Sequence, residues 1–207
     1  MDKLGVIKEL PIEPCEYDYS AVLDYIDNTK ISRVKTKYSK GDAWTALSLR
    51  GYGENPLDIL KPNVLGSKVK TEVKLQDTHL LNEPSFLAVR DIMTKIPSTF
   101  ERVRLMKIKA KSSIGKHSDR IDKDFGFDDG NIVRIHVPIR TNEDVVFYLW
   151  EGREKTFNHL KTGHFYYVDV RAPHSVINNS NEDRIHLVMD TYVNHEVKEL
   201  LGLASFW

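Results

Sequence analysis

Two amphipathic helices are predicted in the first half of the chain. In residues 19–26, apolar side chains recur at positions i, i+3, i+4 and i+7, the spacing of one helix face, and Asp18 precedes them as a helix-capping residue. Residues 84–96 carry a second apolar stripe of the same kind. Both stripes favour helices that bury one face against a protein core.

Most of the remaining regular pattern alternates between apolar and polar residues, as β-strands do. Residues 31–38 alternate loosely and residues 44–49 clearly, whereas 51–84 are polar and irregular, with at most one short strand near 69–73. Further strand-like segments lie at 103–110, 131–139, 144–150, 154–160, 164–170 and 183–193. Closely spaced strands separated by Gly, Asn and Pro predict a mainly β fold: an antiparallel double-sheet roll or barrel with both helices outside one sheet.

Composition sets limits on the location and the partners. Thirty basic residues balance thirty acidic ones, which gives no general reason to expect nucleic acid or an anionic membrane as a partner. The single cysteine, Cys15, excludes an internal disulfide, and no apolar run has the length of a secretory signal or a membrane span. We therefore expect a cytoplasmic protein with one domain over residues 1–207 and a core at about 40–195, while the oligomeric state stays open.

Three separated side chains have the chemistry of a metal site. His117 and Asp119 lie two positions apart, so both side chains point to the same face of an extended segment, and His174 lies far along the chain. Two histidines and one carboxylate form a ligand set that suits non-heme Fe(II). A His-x-Asp pair also occurs on protein surfaces without any role, so the spacing alone does not identify a site.

Two strands carry polar residues on one face only. Arg184 and His186 share a face in one predicted strand, and Arg134 and His136 share a face in another. A guanidinium that points into a barrel is costly to bury unless an anion such as a dicarboxylate pairs with it. The alternatives are an exposed strand arginine and a core histidine that bonds to a neighbour.

A hairpin is predicted to bring the distal histidine close to one of these arginines. Residues 178–181 are polar and typical of a turn, and a strand-like segment follows them directly. If the strands on either side pair, Arg184 lies near His174.

The motifs together resemble the aspartyl/asparaginyl β-hydroxylase family, which includes stand-alone bacterial relatives such as the proline cis-4-hydroxylases. The resemblance covers about residues 40–195. Its segments are 44–51, 117–119, 134–139, 163–169, 174–176 and 183–190.

The resemblance implies a double-stranded β-helix, that is, a cupin-like jelly roll. It also implies an Fe(II)- and 2-oxoglutarate-dependent dioxygenase that uses O2 to hydroxylate an amino-acid unit, free or within a peptide or protein. The implied metal ligands and catalytic residues are His117, Asp119 and His174. Some members of the family lack the carboxylate ligand, and the presence of Asp119 here favours the complete triad.

The same resemblance implies the residues that bind the co-substrate. Arg184 would bind the distal carboxylate of 2-oxoglutarate, with Arg134, His136 and Trp44 lining the pocket. The segment 120–130, which follows the His-x-Asp pair, is either a lid over the substrate or a solvated loop.

Other functions fit parts of the pattern. A cupin-type metal enzyme that needs no 2-oxoglutarate would use the same histidines, and a non-enzymatic jelly-roll binding module would use none of them. A nucleic-acid oxygenase would share the iron chemistry and require a basic groove. The sequence does not identify the small-molecule or peptide substrate, for which Arg50, Arg140 and the loops 51–66 and 120–130 are candidate contacts.

Overall fold

The computed structural model describes residues 5–29, 31–34, 36–62, 72, 74–119 and 131–203. In these residues the chain forms two antiparallel sheets and three α-helices. The strands are β1 (Ile7–Glu9), β2 (Ser32–Arg33), β3 (Trp44–Tyr52), β4 (Leu75–Asp77), β5 (Phe100–Ile108), β6 (Ser112–His117), β7 (Ile132–Arg140), β8 (Val145–Glu151), β9 (Glu154–Asn158), β10 (Tyr166–Val168), β11 (His174–Asn178) and β12 (Arg184–Tyr192).

The two sheets divide the strands unequally. The major sheet has the order β1-β10-β7-β12-β5-β3-β2, with β4 paired to β3, and the minor sheet has the order β6-β11-β8-β9. Every pair is antiparallel, with β12 at the centre of the major sheet between β5 and β7. The predicted double-sheet architecture is confirmed.

Two helices cover the outer face of the major sheet, as predicted. They are α1 (Ser20–Asn28) and α2 (Leu87–Thr94), the latter preceded by 3-10 turns at His79–Asn82 and Pro84–Phe86. Their apolar faces share one buried cluster with the outward side chains of the sheet. These sheet residues are Leu47, Leu49, Val103, Leu105, Val133, Ile135, Val137, Ile139, Ile185, Leu187 and Met189.

The third helix, α3 (His195–Leu200), follows β12 and packs Val197 into the same cluster. Leu201 belongs to this cluster as well, so the apolar end of the chain packs on the domain as far as the structure describes it; residues 204–207 lie outside the described part. No helix of the described residues is long and apolar enough to cross a membrane.

Two local details in the first part of the chain differ from the sequence prediction. Asp18 is not the N-cap of α1, because Tyr19 occupies that position; its carboxylate nevertheless accepts from the amide of Ser20 at 2.9 Å. The strand predicted in 31–38 shrinks to β2, because only two of its residues pair with β3. The short strand predicted near 69–73 falls mainly on residues outside the described part.

The predicted hairpin after the distal histidine is wrong. β11 pairs with β6 and β8 in the minor sheet, whereas β12 pairs with β5 and β7 in the major sheet, so the turn between them crosses from one sheet to the other. The buried side chain of Asn178 stabilises this corner by donating to the carbonyls of Ile108, Lys109 and Glu182 at 2.8–3.2 Å. A polar turn sequence does not distinguish a hairpin from such a crossing.

Candidate active site

Three ligand-type side chains meet where the minor sheet faces the major one. His117 ends β6 and His174 begins β11, and these two residues are direct cross-strand partners. Asp119 follows β6 by two residues, and its amide donates to the carbonyl of Val170 at 2.8 Å. Their ligand atoms lie within 4.8 Å of one another, so the three residues could hold one metal ion.

Backbone hydrogen bonds orient both imidazoles for metal binding. Nδ1 of His117 lies 2.8 Å from the carbonyl oxygen of Gly115, and Nδ1 of His174 lies 2.9 Å from that of Ala172. A carbonyl only accepts, so Nδ1 of each ring carries a proton, and in the neutral imidazole Nε2 is then the nitrogen with the free lone pair. This arrangement is usual for metal-binding histidines.

Aromatic side chains pack against the two imidazoles. Tyr38 stacks on His117 with ring centroids 5.0 Å apart, and Trp44 lies 5.8 Å from the same ring. Phe147 stacks on His174 at 5.9 Å. Of these three aromatic residues, only Trp44 was predicted from the sequence as a site residue; Tyr38 and Phe147 stand out only once the sheets are assembled.

Burial and neighbouring charges favour the metal-binding protonation states of His174 and Asp119. Burial, together with the neighbouring His117, lowers the pKa of His174 to about 4, so this imidazole is neutral at pH 7. Burial would raise the pKa of the Asp119 carboxyl, but the charge of Arg134 and its hydrogen bond to Asp119 outweigh burial and lower that pKa. A neutral imidazole and an ionised carboxylate are the forms that bind metals.

A cavity of about 400 Å³, part of it open to solvent, lies next to the triad. All seven site residues predicted from the sequence line it: His117, Asp119, His174, Trp44, Arg134, His136 and Arg184. The other lining residues are Met106, Ile114, Phe147, Val170 and Val176. The cavity is therefore an apolar chamber with two arginines and the triad in its wall.

Arg184 is a buried cation without an anionic partner among the described residues. Its side chain is almost fully buried, Nη2 lies 2.6 Å from Nδ1 of His186, and Nε has no hydrogen-bond partner. Burial lowers the pKa of Arg184 to about 9, which leaves the guanidinium charged at neutral pH. A desolvated guanidinium at a cavity wall is the arrangement expected for a site that binds an anion.

Two buried histidines lie between the arginines. Nδ1 of His136 lies 3.4 Å from Nδ1 of His186, and the Nε2 atoms of both rings have no partner. Burial, together with Arg184, lowers both pKa values, so both rings are neutral at pH 7. Of the two, His136 lines the cavity, as the sequence predicted, whereas His186 packs behind Arg184.

The second cavity arginine has a different environment. Nε of Arg134 donates to Oδ1 of Asp190 at 2.7 Å, and its Nη1 donates to Oδ2 of Asp119 at 2.7 Å. Oδ2 of Asp190 also contacts Nη2 of Arg102 at 2.7 Å and Nη2 of Arg104 at 2.8 Å. Asp190, Arg102 and Arg104 were not predicted from the sequence as parts of the site. Asp190 could have been found, because it has the same strand phase as Arg184.

The two arginines that were candidate substrate contacts, Arg50 and Arg140, are not part of this cavity. Arg140 donates to both carboxylate oxygens of Asp27, at 2.7 and 3.1 Å, and Arg50 donates to Asp77 at 2.7 Å. Both arginines lie outside the cavity wall. The possible lid at 120–130 lies outside the described residues, as does part of the loop 51–66.

Comparison with known proteins agrees with this geometry. A protein-family model described as aspartyl/asparaginyl beta-hydroxylase matches residues 14–194. No curated protein sequence matches the chain significantly.

Solved structures with the same fold have low sequence identity to this chain. An oxidoreductase of the 2OG-Fe(II) oxygenase family from Burkholderia pseudomallei has a TM-score of 0.50 and 17% identity, covering 92% of this chain and 86% of that one. A prolyl hydroxylase from Trichoplax adhaerens, in complex with a hypoxia inducible factor peptide fragment, has a TM-score of 0.55 and 11% identity, with coverages of 90% and 79%. A non-heme α-ketoglutarate-dependent epimerase from nogalamycin biosynthesis has a TM-score of 0.52 and 13% identity, with coverages of 93% and 79%. These likenesses confirm the predicted jelly-roll fold.

Proposed function

This chain belongs to the aspartyl/asparaginyl β-hydroxylase family, and from that membership we propose that it uses Fe(II), 2-oxoglutarate and O2 to hydroxylate an amino-acid unit. The family assignment makes the protein a hydroxylase, which confirms the enzyme expected from its sequence. The identity of the metal, the co-substrate and the substrate is the proposed part.

The donor set fits Fe(II). His117, Asp119 and His174 offer two imidazole nitrogen atoms and one carboxylate oxygen, grouped on one side of the cavity. This set matches the two-histidine, one-carboxylate ligands of non-heme Fe(II) oxygenases, which keep the remaining positions open. We assign the three residues as the metal ligands.

The unpaired charge of Arg184 carries the proposal for the co-substrate. A buried guanidinium without an anion is unfavourable, and this one lies in the wall of the same cavity as the triad. The distal carboxylate of 2-oxoglutarate would supply the anion and accept hydrogen bonds from the guanidinium. Trp44, Arg134 and His136 would line the remainder of the co-substrate pocket.

Bound Fe(II) with 2-oxoglutarate and O2 would supply the oxidation of a C–H bond to C–OH, while 2-oxoglutarate is decarboxylated to succinate. The protein residues bind and orient. Gly115 and Ala172 hold the two imidazoles through their Nδ1 protons, and Arg184 anchors an acid at the far wall. The apolar lining, which includes Phe147, limits the access of water.

We further propose a substrate that is a free amino acid or a residue of a peptide, acted on by a single domain over residues 1–207 in the cytoplasm. The family name gives the amino-acid unit, and the balanced charge offers no reason for nucleic acid. The described part of the chain has no membrane-spanning helix.

A succinate-release assay tests the proposal. Purified protein with Fe(II), 2-oxoglutarate and O2 is incubated with each free amino acid and with a panel of short peptides, and succinate is measured with and without EDTA. Release that requires both the metal and one substrate class supports the proposal. Consumption of an amino acid or peptide in a parallel incubation without 2-oxoglutarate would indicate the cupin-type alternative.

A direct binding measurement tests the role of Arg184 in co-substrate binding without requiring that the substrate be known. Under anaerobic conditions, Fe(II) plus 2-oxoglutarate is expected to give a weak visible charge-transfer band in the wild-type protein and none in Arg184→Met. Arg140→Ala is the control, because Arg140 also lies on the major sheet but outside the cavity, where it pairs with Asp27. Equal bands in wild type and Arg184→Met would contradict the assignment of Arg184.

A further inference from the structure

One row of charged side chains crosses three adjacent strands behind the triad. Asp190 on β12 is the direct cross-strand partner of Arg134 on β7 and of Arg102 on β5. All three lie on the face of the major sheet that looks toward the cavity, opposite the apolar outer cluster. The row ends at Asp119, which Arg134 contacts through Nη1.

Asp119 contacts this row through one oxygen of its carboxylate. It lies beyond the end of β6, and its carboxylate is about 30% exposed. Arg134 holds Oδ2 at 2.7 Å, which leaves Oδ1 facing the histidines, 4.0 Å from Nε2 of His117. Without this contact the Asp119 carboxylate could rotate, so that either oxygen atom, or neither of them, would face the metal.

Arg134 in turn needs an anchor. An arginine side chain has several rotatable bonds, and ordering it costs conformational entropy. Nε of Arg134 donates to Oδ1 of Asp190 at 2.7 Å, so the guanidinium bridges two carboxylates. Asp190 is fully buried, and its Oδ2 is held by Arg102 and Arg104.

We propose that Asp190 is a positioning residue for the metal site, which acts through Arg134 to present one oxygen of Asp119 to the metal. Such outer hydrogen bonds orient metal ligands, and their loss typically weakens metal affinity by about 10–100-fold. Arg134 thus has a task beyond lining the co-substrate pocket. The inference rests on the proposed function insofar as it assigns Asp119 as a ligand.

The test measures metal affinity rather than turnover. Co(II) is titrated into the metal-free protein, and its visible absorption, which reports the number and type of ligands, gives both the affinity and the coordination. Asp190→Asn is expected to weaken Co(II) binding by about 10–100-fold and to shift the absorption bands. Asp27→Asn is the matched control, because Asp27 also holds an arginine, Arg140, but far from the cavity, and should leave both unchanged.

A double-mutant cycle separates positioning from a structural role. In an Asp119→Ala background, adding Asp190→Asn should cause no further loss of Co(II) affinity, because the ligand on which it acts is gone. An equal loss in both backgrounds, or no loss in the wild-type background, overturns the inference.

A second variant covers the case in which Asp190→Asn does not fold. Arg134→Lys keeps the positive charge but not the fork that bridges two carboxylates. It should weaken Co(II) binding similarly, and only while Asp119 is present; otherwise the inference is wrong.

If the wild-type protein binds no Co(II), or if His174→Ala does not reduce binding, the proposed metal site itself fails. Either of these results is distinguishable from unchanged Co(II) binding by the Asp190 and Arg134 variants, which would contradict only the positioning role of Asp190.

Discussion

Two buried arginines on neighbouring strands of the major sheet have opposite electrostatic surroundings. Arg134 on β7 bridges Asp119 and Asp190, and Arg102 and Arg104 complete the group around Asp190. Arg184 on β12 has no carboxylate partner among the described residues and a depressed pKa of about 9, caused by burial. Both side chains line the same cavity.

The difference indicates that Arg134 is held by ion pairs within the protein, whereas Arg184 is the arginine proposed to bind an anionic ligand. A buried ion pair with complete hydrogen bonding is already compensated, so Arg134 needs no further anion. A buried charge without compensation destabilises the folded protein until an anion binds. The Arg184 end of the cavity is therefore the place where binding energy can be gained, and the Asp190 end is where the ligand geometry is held.

The largest expected effect comes from replacing Asp190, the carboxylate that Arg134, Arg102 and Arg104 share. Asp190→Asn removes the negative charge shared by three arginines, and we expect the free energy of unfolding to fall by about 3–5 kcal/mol. Urea unfolding at pH 7 measures it. A loss below about 1 kcal/mol would show that the buried group is not a stabilising network.

Replacing Arg184, which has no carboxylate partner among the described residues, should affect ligand binding more than stability. Arg184→Met is expected to weaken 2-oxoglutarate binding by at least about 30-fold, or about 2 kcal/mol, because a buried charge pair can no longer form. The stability of the ligand-free protein should fall by no more than about 1 kcal/mol, because losing a desolvated charge offsets the lost hydrogen bond to His186. Calorimetric titration and urea unfolding check the two parts, and a large loss of stability would contradict this contrast.

A pH series sharpens the comparison. Burial would raise the pKa of Asp190, but Arg134, Arg102 and Arg104 outweigh it, and the folded-state pKa lies far below the ordinary value of 3.8. The stabilisation from Asp190 is therefore complete above pH 4 and is lost as pH falls, because the unfolded aspartate protonates first. The stability difference between wild type and Asp190→Asn should be constant from pH 5 to 8. It should shrink by about 1.4 kcal/mol per pH unit below about pH 4; a difference that grows on acidification would contradict the assignment.

The smallest effect is expected outside the cavity. Arg140 and Asp27 form a partly exposed pair, with side-chain exposures of 23% and 39%. Arg140→Ala should cost about 0.2–1 kcal/mol of stability and leave succinate release unchanged. A clear loss of turnover would restore Arg140 as a substrate contact.

The alternation of residue types predicted much of the site correctly. In β12 the apolar residues Ile185, Leu187 and Met189 pack on the helices, and the intervening Arg184 and His186 face inward, as expected from a period of two. The same rule places Arg134 and His136 on the inner face of β7. A two-residue period is a local property of the extended backbone, so sequence alone determines which side chains share a face.

The alternation of residue types did not predict which residues are neighbours on different strands. The sequence predicted that His174 and Arg184 meet through a hairpin, yet their strands belong to different sheets and the two residues meet only across the cavity. Whether a polar turn pairs its strands or crosses between sheets depends on contacts with distant segments, such as those of Asn178 with the end of β5.

The sequence by itself determined the fold class, the inward and outward faces of strands such as β7 and β12, and seven of the residues that line the cavity. Only the tertiary structure decided the charge balance, because it depends on which strands are neighbours: the register that places Asp190 beside Arg134 leaves Arg184 without an anion. Local patterning fixes the direction of a side chain, whereas its electrostatic partners come from residues that are remote in sequence.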